Sequence, residues 1–322
     1  MREINIALLG FGTVGKGVYE LIQKNQPLFE DAYDFRLVVK KILEKNPKAM
    51  EGYPKELFTE DIADITSNEN IQIVVEMMGG VNPAADFMMD ALKAGKHVVS
   101  SNKEALAVKL PDINWEAVSR GLLLRYEAAV CGAIPIMNVV YNSLASNKIT
   151  KIEGILNGTS NYILTMMGQG LDYETALKQA QEKGFAEADP TKDVHGIDTV
   201  NKIVLLAVAA FGEYVAPWNV PVSGITEITP AMIEEAKAEG SVIKLIATAE
   251  MDGDTPKLSV APKAVPKDSP LGRTDYEYNA VTVTGNMAGD IFLQGKGAGK
   301  FPTASAVCAD ILDIAKTFEG EE

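Results

Sequence analysis

The run Ile4–Leu9 is nearly all apolar and stops at Gly10. Gly10-Phe11-Gly12-Thr13-Val14-Gly15 follows at once, and from Val14 to Lys24 apolar residues fall at helical spacing. A GxGxxG turn between a strand and a helix, at the extreme N-terminus, constrains the fold more than any other stretch. The pattern is weak alone, but this context makes it a phosphate-binding turn. Gly10 permits the tight turn, Gly12 lets a pyrophosphate approach the backbone, and Gly15 lets helix pack on strand. The helix start then offers unpaired N–H groups and a positive dipole end to the phosphates. Gly10, Phe11, Gly12, Thr13, Val14 and Gly15 are therefore the expected dinucleotide cradle. A glycine-rich turn without a ligand is the alternative.

The alternation continues through about residue 135. Phe35–Leu43, Ile71–Met78, Lys96–Ser100 and Leu122–Glu127 read as strands, and Pro83–Ala94 reads as a helix ended by Gly95. Apolar strands alternating with helices imply a parallel sheet covered on both faces. The rhythm then changes. Ile136–Ala145, Asn161–Gln169, Tyr173–Lys183 and Ile197–Phe211 read as helices, and Thr229-Pro230 starts another with Thr as N-cap. Ile149–Leu156, Leu258–Pro262 and Val281–Thr284 read as strands, and Thr303–Phe318 as a last helix after a glycine-rich loop. The second half is thus α+β.

Composition narrows the function. The length of 322 residues suits two domains, and 47% hydrophobic with 23% charged residues is a globular balance. The net charge is −14, from 30 Lys+Arg against 44 Asp+Glu, which speaks against nucleic acid as a partner. No apolar run reaches the ~20 residues of a membrane helix. The N-terminal apolar stretch is too brief for a secretory signal, and Cys131 and Cys308 read as free thiols of a reducing compartment. The expected location is the cytoplasm.

The second strand should end near Leu43, where the ribose edge is read. An acidic residue there favours NAD and a basic one NADP. Glu44-Lys45 supplies both, with Lys41 nearby. Lys45 tips the balance to NADP with dual use open, and either charge can also be a solvated loop residue.

Further segments make the reading specific: Ser100-Ser101-Asn102-Lys103-Glu104-Ala105, Tyr126 to Pro135, Leu156-Asn157-Gly158-Thr159-Ser160-Asn161-Tyr162-Ile163, and Gly184 to Thr191 running on to Asp198 and Lys202. With the N-terminal glycines and the tail Gly295 to Thr303, they resemble homoserine dehydrogenase over essentially the whole chain. The resemblance implies a Rossmann-type doubly wound parallel sheet over residues 1–135, with the C-terminal helix 303–322 packed back on it. It implies an α+β substrate-binding and dimerisation domain over 136–302. The chain stops at Glu322, so the likeness is to a short form without the family's C-terminal regulatory domain. The implied reaction is the reversible NAD(P)H-dependent reduction of L-aspartate 4-semialdehyde to L-homoserine, in threonine, methionine and isoleucine biosynthesis, by a homodimer. A dehydrogenase of another small amino-acid-derived aldehyde and a non-catalytic NADPH sensor are the alternatives.

Hydride transfer to an aldehyde builds negative charge on oxygen, so a proton donor must sit there. Lys202 lies four residues after Asp198, which puts carboxylate and ammonium on one helix face. The helix turns almost wholly apolar after Lys202, so its body should be buried. A structural ion pair is the bland reading. Lys103 follows a strand and the turn Ser100-Ser101-Asn102, at the sheet edge where ligands bind in open α/β folds. A solvated helix-start lysine is the alternative. The family's catalytic lysines match Lys103 and Lys202. Its substrate-binding acids match Glu187 and Asp198, with Asp193 orienting them, and its substrate loop matches Gly158 and Thr159. The cofactor contacts carried over are Ser100, Lys103, Gly184 and Gly299. Glu127, Val130, Gly132 and Ile134 resemble the family's monovalent-cation site, for Na⁺ or K⁺. His195 departs from the family pattern, and a solvent-facing helix-start histidine is its simplest reading.

Overall fold

The computed structural model describes residues 1–318. The chain divides into two compact units: Met1–Ala129 with the C-terminal segment from Gly299, and Val130–Ala298.

The first unit is built on six parallel strands: β1 (Arg2–Leu9), β2 (Phe35–Leu43), β3 (Phe58–Thr59), β4 (Ile73–Glu76), β5 (His97–Ser100) and β6 (Leu124–Arg125). Their order is β3-β2-β1-β4-β5-β6. The order reverses between β1 and β4, which makes the carboxyl ends of these two strands the ligand crevice of such a sheet. Helix α1 (Thr13–Tyr33) runs past Lys24 and through Pro27, because Phe29 still reaches the core at 4% exposure. Val18, Ile22 and Phe29 of α1 join Ala304, Val307, Ile311 and Ile314 of the C-terminal helix (Lys300–Thr317). Together they cover Ile4, Ile6, Leu8, Ile73 and Val75. Each such aliphatic side chain contributes ~1.5–3 kcal/mol of burial. Helices α2 (Ala84–Lys93) and α3 (Lys103–Ser119) pack on each other, α2 also on β5, and they bury Met88, Leu92, Leu106 and Leu110. The body of α3 is not marked in the sequence, because Pro111 interrupts it and Trp115 and Val118 stay exposed. Of the expected tail 303–322, the part beyond 318 lies outside the described residues.

The second unit carries an antiparallel sheet in the order β11 (Gly289–Lys296), β10 (Tyr278–Gly285), β7 (Ile149–Ile155), β8 (Ser241–Asp252) and β9 (Thr255–Pro266). Its main helices are α4 (Gly158–Gly168), α5 (Tyr173–Glu182), α6 (Ile197–Phe211) and α7 (Pro230–Ala238). The expected helix 136–145 is a short turn, Ile136–Asn138, that widens into a π-helical turn to Ser143. Rows across the sheet reveal its two faces. Leu258, Ala249, Ile152 and Val283 form a buried row. Helix α6 packs on β7, β8 and β9. The neighbouring row Ser259, Thr248, Glu153, Thr282 and Phe292 is only half-buried. Strand β9 lies at the sheet edge and tolerates Pro256, Pro262 and Pro266, whose missing N–H groups fall on the unpaired side.

Candidate active site

The glycine turn joins β1 to α1. Gly10 adopts φ +91, which favours glycine, and a Cβ on Gly15 would lie 2.4 Å from the Gly10 carbonyl oxygen. A Cβ on Gly12 would meet nothing within 4 Å, and α1 starts there without a side-chain cap. The first N–H groups of a long helix are thus left for an anion, so the turn fits a pyrophosphate. Phe11 is different. Its ring is fully buried, edge-on to Tyr53 at 4.8 Å and to Phe58 at 5.4 Å. Its N–H donates to Glu44 Oε2 at 2.9 Å, so neither ring nor amide is presented to a ligand.

Glu44 sits after β2, where the ribose edge was expected. Its other oxygen accepts from the N–H groups of Lys45 and Asn46, both at 2.8 Å. The carboxylate therefore braces the glycine turn, while Lys45 is exposed beside it. Lys16, which the sequence reading leaves out, stands on the first turn of α1 with its ammonium 5.9 Å from the Phe11 ring and 5.8 Å from the Tyr53 ring. A lysine one residue past the third glycine is its only sequence signal.

At the carboxyl end of β4, the fully buried Glu76 organises the approach to Lys103. It accepts from Met78 N–H at 2.7 Å, from Ser100 Oγ at 2.6 Å and from Asn102 Nδ2 at 3.3 Å. Asn102 caps α3 by accepting from Ala105 N–H at 3.1 Å, and its amide donates to Gly80 O at 2.7 Å. Lys103 is the first residue of that helix and half-buried. The Ser100 hydroxyl is committed to Glu76. Burial pushes the Glu76 carboxyl above the usual range, against the hydrogen bonds that pull it down. Glu76 was also missed, because a lone Glu ending an apolar strand reads as solvated.

In the second unit, β7 ends at Ile155, and Leu156 and Asn157 lead into α4. Asn157 is the N-cap of α4, accepting from Ser160 N–H at 2.8 Å. Its amide donates to Asp193 Oδ1 at 2.6 Å and to Asp198 Oδ2 at 2.9 Å, which draws both acids to one point. Asp198 and Lys202, one turn apart on α6, form an ion pair at 2.8 Å with each side chain only 8% exposed. The Lys202 ammonium also donates to Leu156 O at 2.6 Å. The structure thus collects Lys202, Asp198 and Asp193 on the strand end that carries Gly158 and Thr159. A Cβ on Gly158 would meet Glu277 O at 2.5 Å, and Thr159 Oγ1 donates to Phe185 O at 2.6 Å.

Glu187 is exposed, and its backbone carbonyl accepts from Gln181. Asp189 accepts from the N–H and the hydroxyl of Thr191, the first residue of a short helix. His195 is exposed. Gly184 follows α5 with φ +75, and Gly299 precedes the C-terminal helix with φ +119. Glu127 lies buried in a 3-10 turn of the first unit, its N–H donated to Asp310 Oδ2 at 2.8 Å. Val130, Gly132 and Ile134 belong to the second unit, with Gly132 at φ +55. Among the described residues no helix is long and apolar enough to cross a membrane.

Comparison with known proteins agrees with this fold. The profile described as homoserine dehydrogenase matches residues 135–312, and that of the homoserine dehydrogenase NAD-binding domain matches residues 10–127. The homoserine dehydrogenase of Bacillus subtilis is 40% identical over 319 residues, covering 98% of this chain and 74% of the relative. The crystal structure of a homoserine dehydrogenase from Thiobacillus denitrificans superposes with a TM-score of 0.96 at 35% identity, over all of this chain and 75% of that one. A hyperthermophilic archaeal homoserine dehydrogenase solved with NADPH superposes with a TM-score of 0.84 at 25% identity, over 98% of each chain. This chain belongs to the homoserine dehydrogenase family of NAD(P)-dependent oxidoreductases.

Proposed function

We propose that Lys202 is the proton donor when this chain reduces L-aspartate 4-semialdehyde to L-homoserine, with Lys103 assisting. The observation that carries the reading is the buried ammonium of Lys202. Two of its protons are directed at Leu156 O and Asp198 Oδ2, which leaves the third for a substrate oxygen. Bound NAD(P)H supplies the hydride. As negative charge grows on the carbonyl oxygen, the preorganised ammonium stabilises it and then passes its proton. Asp198 keeps that cation in place and, with Asp193 and Glu187, offers carboxylates to the substrate's α-ammonium. Gly158 and Thr159 line the approach. The test is NAD(P)H oxidation with aspartate semialdehyde. Lys202→Ala and Lys103→Ala should each lose more than tenfold in kcat, and a smaller loss in both would defeat the assignment.

The dinucleotide would be held by the backbone of Gly10 to Gly15, with Lys45, Ser100, Lys103, Gly184 and Gly299. We assign NADP as the preferred form. Three backbone N–H groups already draw on the acceptor capacity of the Glu44 carboxylate, whereas the Lys45 ammonium is exposed for a 2′-phosphate. Glu127, Val130, Gly132 and Ile134 would hold Na⁺ or K⁺. A carboxylate and carbonyl oxygens are a hard-oxygen donor set, and replacing Na⁺ by choline should weaken NADPH binding. The half-buried row through Thr248, Glu153 and Thr282 supports a homodimer formed on that sheet face. Thr248→Arg should yield monomers in sedimentation. The buried thiols of Cys131 and Cys308 suit the cytoplasm.

A further inference from the structure

We propose that Asn279 is a positioning residue for Lys202, acting through the carbonyl of Leu156. The inference rests on the assignment of Lys202 as proton donor.

Asn279 is fully buried on β10. Its Nδ2 donates to Leu156 O at 3.0 Å, the same oxygen that accepts from Lys202 Nζ at 2.6 Å. A carbonyl oxygen offers two lone-pair directions in its plane. The rigid amide takes one of them and confines the flexible ammonium to the other. Together with the bond to Asp198, that confinement sets the direction of the remaining Lys202 N–H. Without Asn279 the ammonium, still tethered to Asp198, can shift between the two lone pairs, and its free proton loses a fixed aim.

Two observations indicate that this amide is kept for more than stability. Its Oδ1 is buried with no hydrogen-bond partner among the described residues. Such an orphan acceptor opposes folding, so a residue without that oxygen would suit a purely structural position better. The second is its seat on Gly297. A Cβ on Gly297 would lie 2.1 Å from Asn279 Nδ2, 2.2 Å from Cγ and 2.4 Å from Oδ1. The planar amide lies against bare backbone, and any side chain at 297 would push it off the Leu156 oxygen.

The test compares Asn279→Ala, Asn279→Asp and Lys202→Ala for steady-state aldehyde reduction and for melting temperature. Asn279→Ala removes donor and orphan together. It should lower kcat about tenfold, since a small misplacement of a reacting group costs up to ~10²-fold. The KM values for aldehyde and NADPH should stay within about twofold, and the melting temperature within a few degrees. Asn279→Asp keeps the shape, replaces the donor by an acceptor and draws the ammonium off its carbonyl. Its kcat should fall further, with KM again little changed. The proposal is overturned if both variants fold with kcat within twofold of the parent, if KM rises in step with the loss, or if neither variant folds. If Lys202→Ala keeps its activity, the proton-donor reading falls and takes this one with it. If Lys202→Ala is inactive while both Asn279 variants are fast, only the role of Asn279 falls.

Discussion

The pair Asp198–Lys202 should be worth little in net stability, costly to break from one side, and indispensable to turnover. Its atoms are 2.8 Å apart and both side chains are 8% exposed. At an effective dielectric of ~20 the attraction at that distance is ~6 kcal/mol. Taking each ion out of water costs several kcal/mol, so the two terms nearly cancel. Removing one partner leaves the desolvation without the attraction. Asp198→Ala also deprives Asn157 of one acceptor, and it should destabilise the chain by ~3–5 kcal/mol. Lys202→Met alone should cost about as much as Asp198→Ala, while the two combined should lie within ~2 kcal/mol of the parent, far short of the sum of the single losses. Urea unfolding followed by circular dichroism measures all four corners, and kcat is read on the same preparations. Stability should return in the double variant while activity does not. Single losses below ~1 kcal/mol that simply add would contradict a desolvated, coupled pair.

Other outcomes follow from single groups. Lys202→Ala should slow aldehyde reduction by ~10²–10⁴-fold, the usual contribution of a general acid, as read from NADPH oxidation. Glu44→Ala unties the amides of Phe11, Lys45 and Asn46. It should raise KM for either dinucleotide about tenfold, at ~1.5 kcal/mol for bonds to a charged acceptor, with kcat little changed. Lys45→Ala should raise KM for NADPH by ~3–10-fold and leave KM for NADH unmoved, consistent with a charge–phosphate contact of ~1 kcal/mol; equal shifts would remove the basis for preferring NADP. Glu76 is held above its ordinary value of 4.5 by burial. The folded state then binds more protons than the unfolded state above that value, so this group's contribution falls as pH rises through its folded pKa. Glu76→Gln removes that slope, and the advantage of the parent over the variant in urea midpoint should shrink from pH 4.5 upward.

What could be read from the sequence follows local chemistry. The strand–glycine–helix start specified the parallel sheet, and the spacing of Asp198 and Lys202 anticipated a pair on one helix face. The expectation that these residues form a site rests on motifs in order. Long-range pairing was harder. Strand β8 runs through Lys244, a buried lysine in an otherwise apolar stretch that is held by Asn161 Oδ1, Thr274 O and Asp275. No periodic rule marks such a strand, and the edge position that excuses the prolines of β9 is visible only once the sheet is assembled. Asn279 escaped for a related reason. Its partner is a carbonyl 123 positions away, and backbone oxygens leave no trace in a sequence. Glu44 showed the limit of residue type alone. Whether a carboxylate faces a ribose or its own turn depends on where the amides of Phe11, Lys45 and Asn46 point.

A crystal structure of the chain with NADP⁺ and L-homoserine would decide the proton donor. The account predicts Lys202 Nζ within ~2.6–3.2 Å of the homoserine hydroxyl oxygen, still bonded to Leu156 O and Asp198. A hydroxyl bonded to another donor, with the Lys202 ammonium turned away from it, would contradict the assignment.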